Sequence, residues 1–159
     1  MTPHPTTLDR AAIAARIPHH GTMCLLDAVD AWDSESIRCR ATSHRDLANP
    51  LRELSGLPAT AAIEYAAQAM AVHGALLAPA DGTPRAGYLA SVRSVDITVA
   101  HLDGIAGELE VRAERLTGND SQVLYRFIVS ASGTTLVSGR AAVILDAGAP
   151  GAGLSRSPA

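Results

Sequence analysis

One stretch restricts the fold more than any other in this 159-residue chain: Leu57–Ala78, LPATAAIEYAAQAMAVHGALLA. Pro58 suits a first helical turn, where the N–H it lacks would have had no acceptor. The alanine content gives high helix propensity. About 22 residues at about 1.5 Å each make a helix of roughly 33 Å. A helix that is apolar nearly all round has to be buried. Thr60, Glu64 and Gln68 interrupt it at successive i, i+4 spacings, on one stripe. A buried carboxylate is costly unless it is paired or faces a pocket. Glu64 is therefore the leading candidate for chemistry, against the plainer reading of a structural hydrogen bond. The run approaches a membrane span in length, but Glu64, Gln68 and His73 break it, and membrane insertion is not expected.

The rest of the composition fits one globular domain with a real core: 47% hydrophobic and 18% charged residues. A net charge of −3 lacks the electrostatic footprint of a nucleic-acid binder. Cys24 and Cys39 make neither a disulfide framework nor a metal site, and no metal is expected. His19-His20 has no acidic partner at ligand spacing and reads as part of an opening turn. The N-terminal MTPHPTTLDR lacks the apolar core of a secretory signal, so a reducing cytoplasm is the expectation.

Along the chain, LDRAAIAAR predicts a short helix or arm, and Leu25, Leu26 and Val29 a strand or short helix packed on the core. Residues 36–43 alternate Ile37, Cys39 and Ala41 against Arg38, Arg40 and Thr42, the pattern of a strand with one wet face. Asn49-Pro50 marks a turn before the central helix, and residues 80–84 break the chain after it. Residues 85–96, with a continuation over 97–102, then 107–116, 122–131 and 134–145, read as strands. They are joined by a hairpin signal at 117–120 and by Ser132-Gly133. The expected architecture is α+β: a domain over 1–146 with an antiparallel sheet wrapped around one long helix, then a Gly/Ala/Pro-rich tail over 147–159 expected to be disordered.

That order resembles the hot-dog fold, and within it the 3-hydroxyacyl-acyl carrier protein dehydratases. Ile17-Pro18-His19-His20-Gly21-Thr22-Met23-Cys24-Leu25-Leu26-Asp27 is similar to the family's opening motif. Glu64-Tyr-Ala-Ala-Gln68 is similar to the Glu-x-x-x-Gln of its central helix. The chain departs from the family at one place that matters. The family's His, in a His-Phe-Pro-Gly segment fourteen residues before the helix carboxylate, is replaced by Pro50, within Ala48-Asn49-Pro50-Leu51. No His-Phe-Pro-Gly occurs in the chain, and the Pro-Gly that opens the family's helix has become Leu57-Pro58-Ala59. This pattern resembles most the dehydratase-like proteins of bacterial aryl polyene clusters.

Dehydrating a 3-hydroxyacyl thioester needs a base for the α-proton, an acid for the departing hydroxyl, and polarisation of the thioester carbonyl. The resemblance implies that Glu64 handles the hydroxyl and that Gln68 orients the carboxylate or a water. It implies that N–H groups near Leu57, Pro58 and Ala59 polarise the carbonyl. Asn49 and His19 are further substrate-binding candidates, and Asn49 reads equally as a turn residue. The substrate would ride on the phosphopantetheine of an acyl carrier protein, with no other cofactor. Arg45, Arg52, Arg85 and Arg93 would offer that acidic partner a cationic rim. Family members place each site between two subunits, so a homodimer or a heterodimer with a second hot-dog chain is implied.

Three readings follow from the missing His. The chain is the His-lacking partner of a heterodimer; or it is active alone with His44 or His19 as base; or it is a thioesterase using Glu64 alone. A non-catalytic carrier-binding subunit stands outside this set.

Overall fold

The computed structural model describes residues 7–78 and 87–145. The expected tail at 147–159, the break at 80–84 and Arg85 lie outside the described residues. Among the described residues seven strands form one antiparallel sheet: β1 (Leu8–Asp9), β2 (Ala28–Trp32), β3 (Ser36–Ala41), β4 (Gly87–Ile97), β5 (Leu109–Gly118), β6 (Gln122–Ala131) and β7 (Thr134–Leu145). Their order across the sheet is β1-β2-β3-β5-β6-β7-β4. A short helix, α1 (Arg10–Ala14), precedes β2, and the long helix α2 (Ala62–Leu77) joins the β1–β3 side to the rest. The helix packs across β3, β5 and β6 and reaches β4. The expected sheet wrapped on one helix is the observed fold.

Period-two alternation explains the strands. On β3, Ile37, Cys39 and Ala41 are buried while Arg38 and Arg40 are exposed, and β5 repeats this with Leu109, Val111 and Ala113 against Glu110 and Arg112. Between β5 and β6 the Asn119 carboxamide accepts the Ser121 and Gln122 N–H groups at 2.8 and 3.0 Å, an Asx-type device that turns the chain. Between β6 and β7 both Ser132 and Gly133 adopt positive φ, 50° and 80°, as a two-residue hairpin twisted with its strands requires. The one Phe is seated by absence of a neighbour: Phe127 lies opposite Gly139, where a Cβ would come within 2.9 Å of its ring.

The central helix differs from its expected form in two ways. It is 16 residues long, and it is preceded by a 3-10 turn over Ala59–Ala61. Residues 57 and 59 are drawn into pairing with the 100–102 segment instead of coiling: the Ala59 N–H reaches the Ala100 carbonyl at 2.9 Å, and the Leu57 carbonyl takes the Leu102 N–H at 2.8 Å. The helix is also not buried all round. Tyr65, Gln68, Ala69, Val72 and His73 turn inward, while Ala71 and Gly74 face solvent and Ala67 is half-buried beside them. A bare, apolar, small-residue face is thus left uncovered by the chain's own sheet.

Candidate active site

Three polar side chains of α2 point into the core, and each holds a different loop. Gln68, fully buried, accepts the Leu25 N–H at 2.9 Å and donates to the Met23 carbonyl at 2.7 Å. The two stretches that carried the resemblance, 17–27 and 64–68, therefore meet through this one amide. Asp27, at the end of the same motif, accepts both the N–H and the hydroxyl of Thr42, at 2.8 and 2.6 Å. Tyr65 is the second holder. Its hydroxyl lies 2.7 Å from Ser43 Oγ and 3.0 Å from Asn49 Nδ2. Ser43 Oγ donates onward to the Leu25 carbonyl at 2.7 Å, so the Tyr65 hydroxyl gives its proton to Ser43 and accepts from Asn49. Burial raises the Tyr65 pKa, keeping the phenol protonated for that role.

His73 is the third. Its Nε2 lies 2.8 Å from the Asp33 carbonyl, which only accepts, so Nε2 carries the proton. Nδ1 then accepts from the Tyr125 hydroxyl at 2.8 Å. Burial lowers the His73 pKa and pushes that of Tyr125 up to about 12, which fits a neutral ring and a protonated phenol. This is a satisfied core histidine.

Glu64 is different in kind. It sits in the first turn of α2, half-buried, on the flank between the packed face and the bare Ala67–Ala71–Gly74 face. Among the described residues it makes no hydrogen bond and no ion pair. Successive i, i+4 positions rotate by about 40° around a helix, so Glu64 and Gln68, although on one stripe, fall on opposite sides of the burial boundary. The first turn is the positive end of the helix dipole, a favourable place for a carboxylate.

The other sequence candidates are placed as follows. Asn49 is buried and spends its amide inside the chain: Oδ1 takes the Leu51 N–H at 2.9 Å, and Nδ2 reaches the Ser43 carbonyl at 2.9 Å as well as Tyr65. The geometry is that of the turn reading. Leu57 is buried and its N–H is taken by Asp103 Oδ1 at 2.9 Å; Pro58 has no N–H; the Ala59 N–H is bound to Ala100. The expectation that free N–H groups lie at 57–59 is corrected by these bonds. In this turn the exposed Thr60 N–H is the one without an acceptor among the described residues, the Ala61 N–H being closed onto Pro58. His19 is half-buried, and its Nδ1 is buried without a hydrogen-bond partner among the described residues. His44, a candidate base, is sealed in the core at 0% exposure, its Nε2–H given to the Ile105 carbonyl at 3.0 Å. Of the expected cationic rim, Arg52 is tied to Asp103 at 3.6 Å, Arg93 stands exposed on β4 and Arg45 is exposed at the end of the Ser43–Arg45 turn.

Sequence reasoning passed over Tyr65 and Asp103. A Tyr beside Glu64 in an alanine-rich helix was the available signal for the first. Asp103 holds the entrance to the helix from 46 positions away, and nothing in the sequence marks that pairing. Among the described residues there is no group of three or more His, Cys, Asp or Glu able to hold a metal ion, and no helix is long and apolar enough to cross a membrane.

The chain matches the ApeP-like family of ApeP dehydratases over residues 11–149. It belongs to that family. Its fold is similar to that of the dehydratase heterocomplex ApeI:P from Xenorhabdus doucetiae, at a TM-score of 0.76 and 24% identity over 91% of this chain and 97% of that one. A thioesterase from Haemophilus influenzae is also similar, at a TM-score of 0.64 and 9% identity over 89% and 93% of the two chains. A variant thioesterase from Staphylococcus aureus follows at 0.58 and 12%, over 74% and 91%. At these identities the structures speak to the fold, which is the hot-dog fold. No curated protein matches. The ApeP-like chain thus joins the family that its opening motif and its Glu-x-x-x-Gln resemble, with Pro50 in place of the catalytic His that the resemblance implies.

Proposed function

We propose that this ApeP-like chain is the His-lacking subunit of a 3-hydroxyacyl-acyl carrier protein dehydratase, working on carrier-bound acyl thioesters in aryl polyene or fatty acid biosynthesis. The observation that carries this reading is the contrast on α2. Tyr65, Gln68 and His73 are spent on structure, while Glu64, at the edge of an exposed small-residue apolar face, has no partner among the described residues. His73 is closed by two hydrogen bonds, and His44, whose Nδ1 has no partner among the described residues, is sealed in the core away from any substrate.

In this reading a second hot-dog chain supplies the base. It removes the proton at C2 of the substrate, while the Glu64 carboxyl gives its proton to the C3 hydroxyl, which departs as water and leaves the enoyl thioester. The Thr60 N–H, one turn before Glu64 and without an acceptor among the described residues, is the donor this reading assigns to the thioester oxygen. Gln68 acts as a positioning residue by holding residues 23–25 against the helix.

The uncovered surfaces favour an oligomer. Among the described residues β4, 11 residues long, pairs with β7 alone and its other edge is open, with Tyr88, Leu89 and Ile97 exposed along the strand. A long open edge bearing apolar side chains is what natural sheets cover or pair. Co-expression with a His-bearing hot-dog dehydratase chain from the same kind of gene cluster tests the assembly. A one-to-one complex by native mass spectrometry is the expected result. A chain that stays alone, or that pairs with itself in preference, contradicts the subunit reading.

A further inference from the structure

His44 is a buried polar side chain that neither the apolar core nor the proposed chemistry accounts for. It sits in the middle of a 3-10 turn over Ser43–Arg45, at 0% exposure. Its Nε2 lies 3.0 Å from the Ile105 carbonyl, which only accepts, so Nε2 carries the proton. Burial lowers the pKa of the ring, which is therefore neutral, with Nδ1 a bare acceptor. That nitrogen is buried without a donor among the described residues. An unsatisfied buried acceptor costs free energy that an apolar side chain of similar size would not. The one hydrogen bond that the ring makes among the described residues, to Ile105, is what sets it apart from a leucine at the same place.

That bond closes a circuit around the opening of α2. The Ile105 N–H is given to the Leu102 carbonyl at 3.0 Å, so residues 102–105 form one tight turn. The Leu102 N–H is given in turn to the Leu57 carbonyl at 2.8 Å, and the Ala59 N–H to the Ala100 carbonyl at 2.9 Å. Asp103 Oδ1 takes the Leu57 N–H at 2.9 Å. On the other side of His44, Ser43 Oγ takes the proton of the Tyr65 hydroxyl at 2.7 Å. The circuit leaves the helix at Tyr65, next in the chain to Glu64, and returns at Ala59, next to Thr60. Residues 98–108 connect β4 to β5 and include Gly104 and Gly107, so their path depends on such tethers.

We propose that His44 is the positioning residue of the Thr60–Glu64 pair. Through Ile105 it sets the 100–105 segment against residues 57–59, and so fixes where the Thr60 N–H and the Glu64 carboxyl stand. The chemical consequence rests on the dehydratase reading above; the geometric one does not. A misplacement of about 1 Å caused far from the reacting atoms lowers turnover by up to about 10²-fold.

The test compares three variants at this position. His44→Gln keeps an N–H at about the place of Nε2, His44→Asn puts its N–H at about the place of Nδ1, and His44→Leu has none. Amide hydrogen exchange in the full chain is read at Ala59 and Leu102 in the circuit, and at Phe127 and Val129 on β6. With Asn or Leu, exchange at Ala59 and Leu102 is expected to quicken by about ten-fold or more while β6 is unmoved. With Gln it is expected to stay within about three-fold of the native rate. Enoyl formation by the complex with a His-bearing hot-dog chain is expected to lose about ten-fold or more in kcat with Asn or Leu, at a KM within about two-fold, and to recover with Gln. Leu brings no polar group into the core, so the comparison stands even where Asn does not fold. Equal quickening on β6, which is the mark of a merely structural role, overturns the proposal. Unchanged exchange at Ala59 and Leu102, no recovery with Gln, or a native kcat in the Asn and Leu complexes overturns it as well. A native complex that forms no enoyl product overturns the subunit reading instead, and the exchange pattern alone then decides the positioning role.

Discussion

Gln68 accepts the Leu25 N–H at 2.9 Å and donates to the Met23 carbonyl at 2.7 Å, joining two stretches 43 and 45 positions apart in the chain. The bond to Leu25 is in the core, with Gln68 and Leu25 at 0% exposure, and the bond to Met23 is part-buried. Replacing Gln68 by Leu strands a buried N–H and a carbonyl, each worth about 1–3 kcal/mol when orphaned. We expect Gln68→Leu to lose roughly 2–4 kcal/mol in urea unfolding. An unfolding midpoint equal to that of the native chain would show that the amide is not the clasp.

Tyr65→Phe removes one hydroxyl from the Ser43–Asn49 network while leaving the ring in the core. About 1–2 kcal/mol of destabilisation is expected, since Ser43 and Asn49 each keep another partner. Hydrogen exchange at the Leu51 amide, bonded to Asn49 Oδ1, is the local readout and should quicken. Unaltered protection there would mean that the turn stands without Tyr65.

Gly56 has φ +119°, and a Cβ there would lie 2.7 Å from the Asp103 carboxylate that receives the Leu57 N–H. Gly56→Ala therefore meets backbone strain of about 1–3 kcal/mol and displaces Asp103 as well. Asp103→Ala meets only the second effect. Gly56→Ala is expected to be the less stable of the two in thermal unfolding, and the reverse order would refute the strain argument.

His73 gives the stability a pH dependence of known sign. Its ring is neutral in the fold, and burial places its pKa below the ordinary 6.5, against the opposing effects of the Asp33 carbonyl and carboxylate. The unfolded chain therefore takes up a proton first as pH falls, so stability is full above about 6.5 and declines below it toward the folded pKa. His44, whose pKa is lowered chiefly by burial, adds to the decline in the same direction. Urea midpoints measured from pH 8 to pH 5 should fall below about pH 6.5. A flat profile would require both rings to titrate as they do in water.

β3, β5, β6 and β7 were legible because each turns one face into the core and alternates along its length; β6 and β7 fall where the apolar pattern places them. The opening of α2 was not legible. Helix propensity over residues 57–61 is good, but the backbone of Leu57 and Ala59 is claimed by residues 100–102, a tertiary bond that no local pattern reports. The same distance effect hid Asp103. The i, i+4 stripe of Thr60, Glu64 and Gln68 was correctly seen as polar but reads as one surface, whereas the helix rotation sends Gln68 into the core and leaves Glu64 at its edge. Asn49 was visible as a turn residue because Asn-Pro chemistry is local.

The claim that Glu64 acts with a base from another chain is tested most directly by enoyl formation from a 3-hydroxyacyl thioester, with free thiol followed in parallel. The account predicts no enoyl product from this chain alone and product from its complex with a His-bearing hot-dog chain. Glu64→Gln in this chain should reduce that product by about 10²-fold or more while leaving the complex assembled and its stability unchanged. Enoyl formation by the chain alone, thiol release in its place, or full activity of the Glu64→Gln complex would contradict it.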